Sequence, residues 1–117
     1  FRERILIKML KAVAYIRNDK NYFQRMEIEN YCKRNAIDLE ATFYDEGASG
    51  LNENRPSYQD LLKYISKNKV DLVLVYKPEK LNRNIDKIKE LIKELKKEKI
   101  GLVSVLNEVY LTDIEIY

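Results

Sequence analysis

Apolar positions along the chain fall into two alternating patterns. Val70 to Tyr76 (VDLVLVY) is apolar apart from Asp71 and rich in β-branched residues, as a central parallel strand covered on both faces would be. Ala12 to Ile16 and Ile100 to Leu106 (IGLVSVL) read the same way, and Leu39 to Tyr44 (LEATFY) alternates at first, like a strand nearer an edge. Between them the period changes. Tyr58, Leu61, Leu62 and Ile65 follow the i, i+3, i+4, i+7 rule, with Pro56 where a first helical turn tolerates it. Ile85, Ile88, Ile92 and Leu95 form a second stripe, whose polar side offers the i, i+3 pairs Asp86–Lys89, Glu90–Lys93 and Glu94–Lys97. Ile28, Tyr31 and Cys32 mark a shorter helix from about Gln24 to Asn35.

The order β-α-β-α-β-α-β with short links predicts right-handed crossovers and a doubly wound α/β fold. Its sheet is expected to be parallel and four-stranded, in the order 2-1-3-4. At 117 residues the chain is read as one domain, 1–117, with residues 1–10 as an N-terminal extension of open character. The opening stretch FRERILIKMLK fits a helical turn, a longer first strand or vector-derived sequence equally well. A start at Phe1 rather than Met is what a trimmed chain or fragment would show.

Composition narrows the chemistry. With 45% hydrophobic and 35% charged residues the chain suits a soluble globular protein, and a net charge of +3 is too small to argue for nucleic acid by itself. There is no histidine and a single cysteine, Cys32, which removes zinc sites and Ser-His or Cys-His hydrolase chemistry and fits the reducing cytoplasm. No apolar run reaches membrane-spanning length, and Lys8 and Lys11 interrupt the one candidate signal segment.

Ligands of such a sheet bind beyond the carboxyl ends of its strands. There the chain places Arg17-Asn18-Asp19, then Asp45 to Gly50, then Lys77 to Arg83, with Arg55 closing the loop out of strand two. A single loop arginine is ordinarily a solvated charge. Four cations (Arg17, Arg55, Lys80, Arg83) at one edge, with Asp45 and Glu79 among them, suggest an anion site, and guanidinium forks match phosphate oxygens bidentately. No G-x-x-x-x-G-K-[ST] or G-x-G-x-x-G cradle is present, and Lys77-Pro78 stands where a response-regulator receiver would carry its acceptor aspartate.

Four segments resemble the catalytic domain of serine recombinases, the resolvase, invertase and large-integrase family. They are Y-I-R (Tyr15 to Arg17), Y-D-E-G-A-S-G (Tyr44 to Gly50), N-R-P (Asn54 to Pro56) and V-D-L-V-L-V-Y-K-P-E-K-L-N-R-N (Val70 to Asn84), and the likeness runs from about Lys11 to Leu106. The resemblance implies DNA strand exchange for a mobile element or phage-type integrase, without cofactor or metal. In that family a serine just after the first strand attacks the phosphodiester, and arginines neutralise the transition state.

Carried over residue by residue, Arg17, Arg55 and Arg83 match the arginines, Gln24 matches a glutamine of the nucleophile loop, and Ser49 matches a family serine. Lys80 replaces an arginine, and Glu79 replaces an aspartate tied to the leaving group. Arg17, Arg55, Lys80 and Arg83 are the expected DNA-phosphate contacts. Asp19 stands at the nucleophile's place, and the stretch from it to Gln24 is several residues short. A carboxylate there would repel the phosphate, or pair with Arg17 or Arg83 in its stead.

The reading is a degenerate, inactive recombinase domain that binds DNA weakly and without sequence preference. Homo- or hetero-oligomers would form through a dimerisation helix and DNA-binding region expected beyond Tyr117. Two alternatives stand beside it: an active recombinase using a displaced hydroxyl such as Ser49, and a phosphate-binding or protein-interaction module without DNA.

Overall fold

The computed structural model describes residues 9–47 and 55–113. Ser49, Asn54, the first eight residues and the last four lie outside them. The elements are β1 (Leu10–Arg17), α1 (Phe23–Arg34), β2 (Ile37–Asp45), α2 (Pro56–Lys67), β3 (Leu72–Val75), α3 (Ile85–Lys97), β4 (Gly101–Ser104) and β5 (Val109–Tyr110), with 3-10 turns at Lys20–Tyr22, Pro78–Lys80 and Leu111–Asp113.

The sheet order is β2-β1-β3-β4-β5, and every pairing among the first four strands is parallel. The expected 2-1-3-4 order is therefore present, with β3 at the centre. The expected count of four is corrected to five, because β5 pairs antiparallel with β4 through Val103–Tyr110 and Ser104–Val109. Of the opening stretch, Leu10 and Lys11 belong to β1.

Alternation along each central strand builds two cores. Val13 and Tyr15 of β1 and Val73 and Val75 of β3 face α2 and α3, where they meet Tyr58, Leu61, Ile92 and Leu95. Ala12, Ala14 and Ile16, with Leu72 and Leu74, face α1 and meet Ile28, Tyr31 and Cys32. A helix layer on each face of a parallel sheet is the doubly wound arrangement.

Asp71, the polar break in the apolar run, sits just before β3. Its carboxylate accepts the Lys11 backbone N–H at 2.8 Å, while its own N–H donates to the Lys11 carbonyl at 2.8 Å. This clasp aligns the amino ends of β1 and β3, and β1 runs on to Arg17, two residues past Tyr15, the partner of Val75 at the end of β3. Among the described residues no helix is long and apolar enough to cross a membrane.

Candidate active site

Beyond β1 the chain turns through Asn18 (φ 53°), Asn21 (φ 55°) and Tyr22 (φ 58°), three non-glycine residues in the left-handed region. Asn18 is held on both sides: its N–H donates to the Asp45 carbonyl at 2.9 Å, and its Oδ1 accepts the Gly47 N–H at 2.6 Å. The turn is closed by Asp19. Its Oδ1 accepts the Gln24 N–H at 2.7 Å and its Oδ2 accepts the Arg25 N–H at 3.1 Å. The expectation that Asp19 would pair with Arg17 or Arg83 is therefore corrected. Its carboxylate satisfies two N–H groups of the first turn of α1, where a negative charge also suits the helix dipole. Gln24 is buried and donates from Nε2 to the carbonyls of Arg17 (2.9 Å) and Asn18 (3.1 Å), fixing the exit of β1.

Arg17 points to the opposite face of the sheet from Ile16. Its Nε donates to the Lys80 carbonyl at 3.0 Å and its Nη2 to the Glu79 carbonyl at 2.6 Å, which locks the guanidinium against the Pro78–Lys80 turn. Arg17, Lys77, Glu79, Lys80 and Arg83 line one open cleft of about 380 Å³. The Glu79 carboxylate lies 3.9 Å from Lys77 Nζ. Crowded cations leave their mark on each other. Burial first, then the charges of Arg55 and Arg83, lower the proton affinity of Arg17, with the Tyr15 phenol opposing them. Burial, then Arg17 and Lys77, do the same to Lys80, with Asp19 opposing. A cluster in that condition gains from an anion.

Arg55 does not line this cleft and is 0% exposed. Its guanidinium carbon lies 4.3 Å from the Tyr58 ring centroid, and Nη1 donates to the Tyr15 hydroxyl at 3.4 Å. That hydroxyl donates in turn to Asp45 Oδ2 at 2.8 Å, and the Asp45 carboxylate also accepts the Ser57 and Tyr58 N–H groups at 3.0 Å each. Burial and the Asp45 bond push the Tyr15 phenol well above its ordinary pKa, with Arg55 pulling the other way. The chain Arg55–Tyr15–Asp45–α2 ties a buried cation to a buried carboxylate and to a helix N-terminus.

Of the residues singled out from sequence, the cleft gathers Arg17, Glu79, Lys80 and Arg83, while Asp19 caps α1, Gln24 is buried at the exit of β1 and Arg55 is buried against Tyr15 and Tyr58. Ser49 lies outside the described residues. Sequence reasoning passed over the roles of Tyr15, Asp45 and Lys77. A tyrosine inside an apolar strand and an acid at a strand's end were the available signals. Among the described residues, none lining the cleft carries a hydroxyl or thiol. Among the described residues no group of three or more His, Cys, Asp or Glu gathers as a metal site would.

Comparison with known proteins places this geometry. The family model of the resolvase N-terminal domain matches residues 12–115. The N-terminal catalytic domain of TP901-1 integrase superposes with a TM-score of 0.79 at 28% identity, covering 85% of this chain and 79% of that one. The C-terminal catalytic domain of ISC1926 TnpA, an IS607-like serine recombinase, gives 0.69 at 25% identity over 82% of this chain and 67% of that one. A resolvase-family site-specific recombinase from Streptococcus pneumoniae gives 0.75 at 18% identity over 91% and 78%, a likeness of fold alone. No curated protein matches the chain.

Proposed function

The chain belongs to the resolvase N-terminal domain family, and on that premise we propose that it is a recombinase catalytic domain that keeps a phosphate-binding edge and has lost its nucleophile. The observation that carries this reading is Asp19, which occupies the nucleophile's position by resemblance and has both carboxylate oxygens engaged by α1 amides. Attack on a phosphodiester needs a neutral hydroxyl that loses its proton as it attacks, inside a field that neutralises the developing charge. Arg17, Lys80 and Arg83 supply the field. Asp19 supplies an anion that repels the phosphate, and its acyl phosphate would hydrolyse rather than rejoin.

What remains is charge-based binding of a DNA backbone. A few phosphate contacts without base-reading parts give salt-sensitive binding with a Kd of ~10⁻⁴ M or weaker at physiological salt. In a cell such a domain acts by occupying DNA in the cytoplasm or by pairing with an active relative.

The test is a covalent trap. The protein encoded by the whole reading frame containing this chain is incubated with nicked recombination-site DNA, and protein–DNA adducts are sought on a denaturing gel. No adduct is expected. An adduct mapping to Ser49, or to any other residue of this chain, overturns the reading.

A further inference from the structure

On the α1 face of the sheet, beside the same strand end, lies a second cleft of about 450 Å³ that the phosphate reading does not use. Ile16, Asp19, Asn21, Tyr22, Arg25, Thr42, Tyr44 and Glu46 surround it. Its floor is Ile16 and Thr42; two tyrosines flank it. Tyr22 is 67% exposed and Tyr44 is 41% exposed, although aromatic rings ordinarily find cover in a domain of this size.

Tyr22 is held out at a cost. It adopts φ 58°, as Asn21 before it adopts 55°, and a bulky residue in that region is strained. It caps α1 without a side-chain hydrogen bond, and Asp19 does the capping instead. Folding therefore gains nothing visible from a tyrosine at this position. Tyr44, at the end of β2, lines the cleft together with Glu46. Arg25 lies at the rim.

We propose that this cleft binds an unstacked nucleobase bearing an exocyclic amine, cytosine or adenine. The base would stack on Tyr22 and Tyr44, and its amine would donate to Glu46. A planar base offers its π-face to any aromatic ring, and a carboxylate is the natural acceptor for a base amine. The Asp19 oxygens already accept two amides, so Glu46 is the acceptor of choice. Placement argues for a nucleotide rather than a peptide. Ile16 and Asp19 line this cleft and Arg17, between them in sequence, lines the other, so the base cleft and the phosphate cleft meet at one strand end. The base cleft rests on the DNA reading only for the source of its base: a DNA strand or a free nucleotide.

The experiment is an amide-resolved NMR titration of the 117-residue chain with dCMP, with dTMP and with deoxyribose 5-phosphate, followed by oligo(dC), oligo(dT) and duplex DNA. dCMP should shift amides 19–25 and 42–46, whereas deoxyribose phosphate should shift only those of residue 17 and residues 77–83. Tyr22→Asn, which suits the left-handed backbone and keeps the fold, should weaken dCMP binding roughly tenfold. Glu46→Ala should erase the preference for dCMP over dTMP. Oligo(dC) binding far more tightly than dCMP identifies a strand as the source, and equal affinity identifies a free nucleotide. Identical shift maps for dCMP and deoxyribose phosphate, or Tyr22→Asn binding dCMP like the parent, overturn the proposal. Duplex affinity unmoved by Arg83→Ala refutes the phosphate reading alone and leaves the base cleft standing on its dCMP shifts.

Discussion

Asp45→Asn should be among the most damaging conservative substitutions in this chain, and its cost can be worked from the contacts. The carboxylate accepts three hydrogen bonds, from Ser57 N, Tyr58 N and the Tyr15 hydroxyl, the last two sharing Oδ2. An asparagine placed with its oxygen toward Ser57 turns an NH₂ toward two donors. The Tyr15 hydroxyl can rotate to accept, but the Tyr58 N–H cannot, and a buried unsatisfied donor costs about 1–3 kcal/mol. Losing the anion at the first turn of α2 removes about 0.3–1 kcal/mol more. The buried Arg55 then loses the charge to which the Tyr15 hydroxyl connects it, so a total of about 3–5 kcal/mol is expected. At roughly 4 °C per kcal/mol for a domain near this size, the melting temperature should fall by about 12–20 °C.

Tyr15→Phe removes the hydroxyl that links Arg55 Nη1 to Oδ2, and alone should cost about 1–2 kcal/mol. Both changes disturb the same oxygen, so their costs should not add, and the double variant should be less damaged than the sum by ~1 kcal/mol. Calorimetric or circular-dichroism melts of the four proteins at pH 7 supply the cycle. Strict additivity, or a drop under about 1 kcal/mol for Asp45→Asn, would refute the linked network.

Val73 is 1% exposed in the centre of β3. Val73→Asp places an unpaired charge in the core, costs several kcal/mol and should abolish the cooperative melt, which circular dichroism reads directly. Burial raises the Cys32 thiol from 9.0 to about 11, with Glu29 adding to it. A raised folded value means this stabilising contribution is complete below pH 9 and is lost as the pH climbs toward 11. Between pH 8 and pH 10 the parent should lose about 1.4 kcal/mol more than Cys32→Ala does, and equal losses would show that the thiol is not buried as described. Tyr22→Asn should raise the melting temperature by a few degrees, because it relieves roughly 1 kcal/mol of left-handed strain. Pyrophosphate at millimolar concentration should stabilise the parent more than Arg83→Ala, and an equal shift in both would detach the cleft from anion binding.

The core could be read from the sequence because period and burial are the same fact seen twice. The apolar runs of β3 and β1 survive in the structure as predicted, as do Ile92 and Leu95 of the α3 stripe, whereas Ile85 at its start is 67% exposed. β5 escaped notice because two residues, Val109 and Tyr110, carry no period. The gathering of Arg17, Lys80 and Arg83 followed from strand ends falling at one edge. The fate of each polar group there did not. Arg55 reads as a loop cation, yet stacking on Tyr58 and the relay through Tyr15 to Asp45 take it fully inside. Asp45 is eleven positions before Pro56, and no spacing rule announces that its carboxylate caps the helix that begins there. The cap made by Asp19 depends on two consecutive left-handed residues, Asn21 and Tyr22, which local propensity disfavours.

That cap also bears on what a serine placed at position 19 would achieve. Serine and aspartate are nearly equivalent as helix caps, so Asp19→Ser should cost only about 1 kcal/mol, chiefly the lost charge at the dipole and the second of two amide bonds. The same equivalence works against catalysis. A serine hydroxyl in this turn is offered the Gln24 and Arg25 amides that Asp19 now accepts, and an oxygen accepting from the helix is turned from the Arg17–Lys80–Arg83 cleft. The short turn leaves no slack to swing it across, since Asn18, Asn21 and Tyr22 are already in a strained conformation. Lys80 supplies charge without the bidentate fork an arginine would offer. Asp19→Ser in the covalent trap should therefore stay silent while the variant remains folded. An adduct from it would show that side-chain identity alone separates this domain from an active one, and that the turn yields to the substrate.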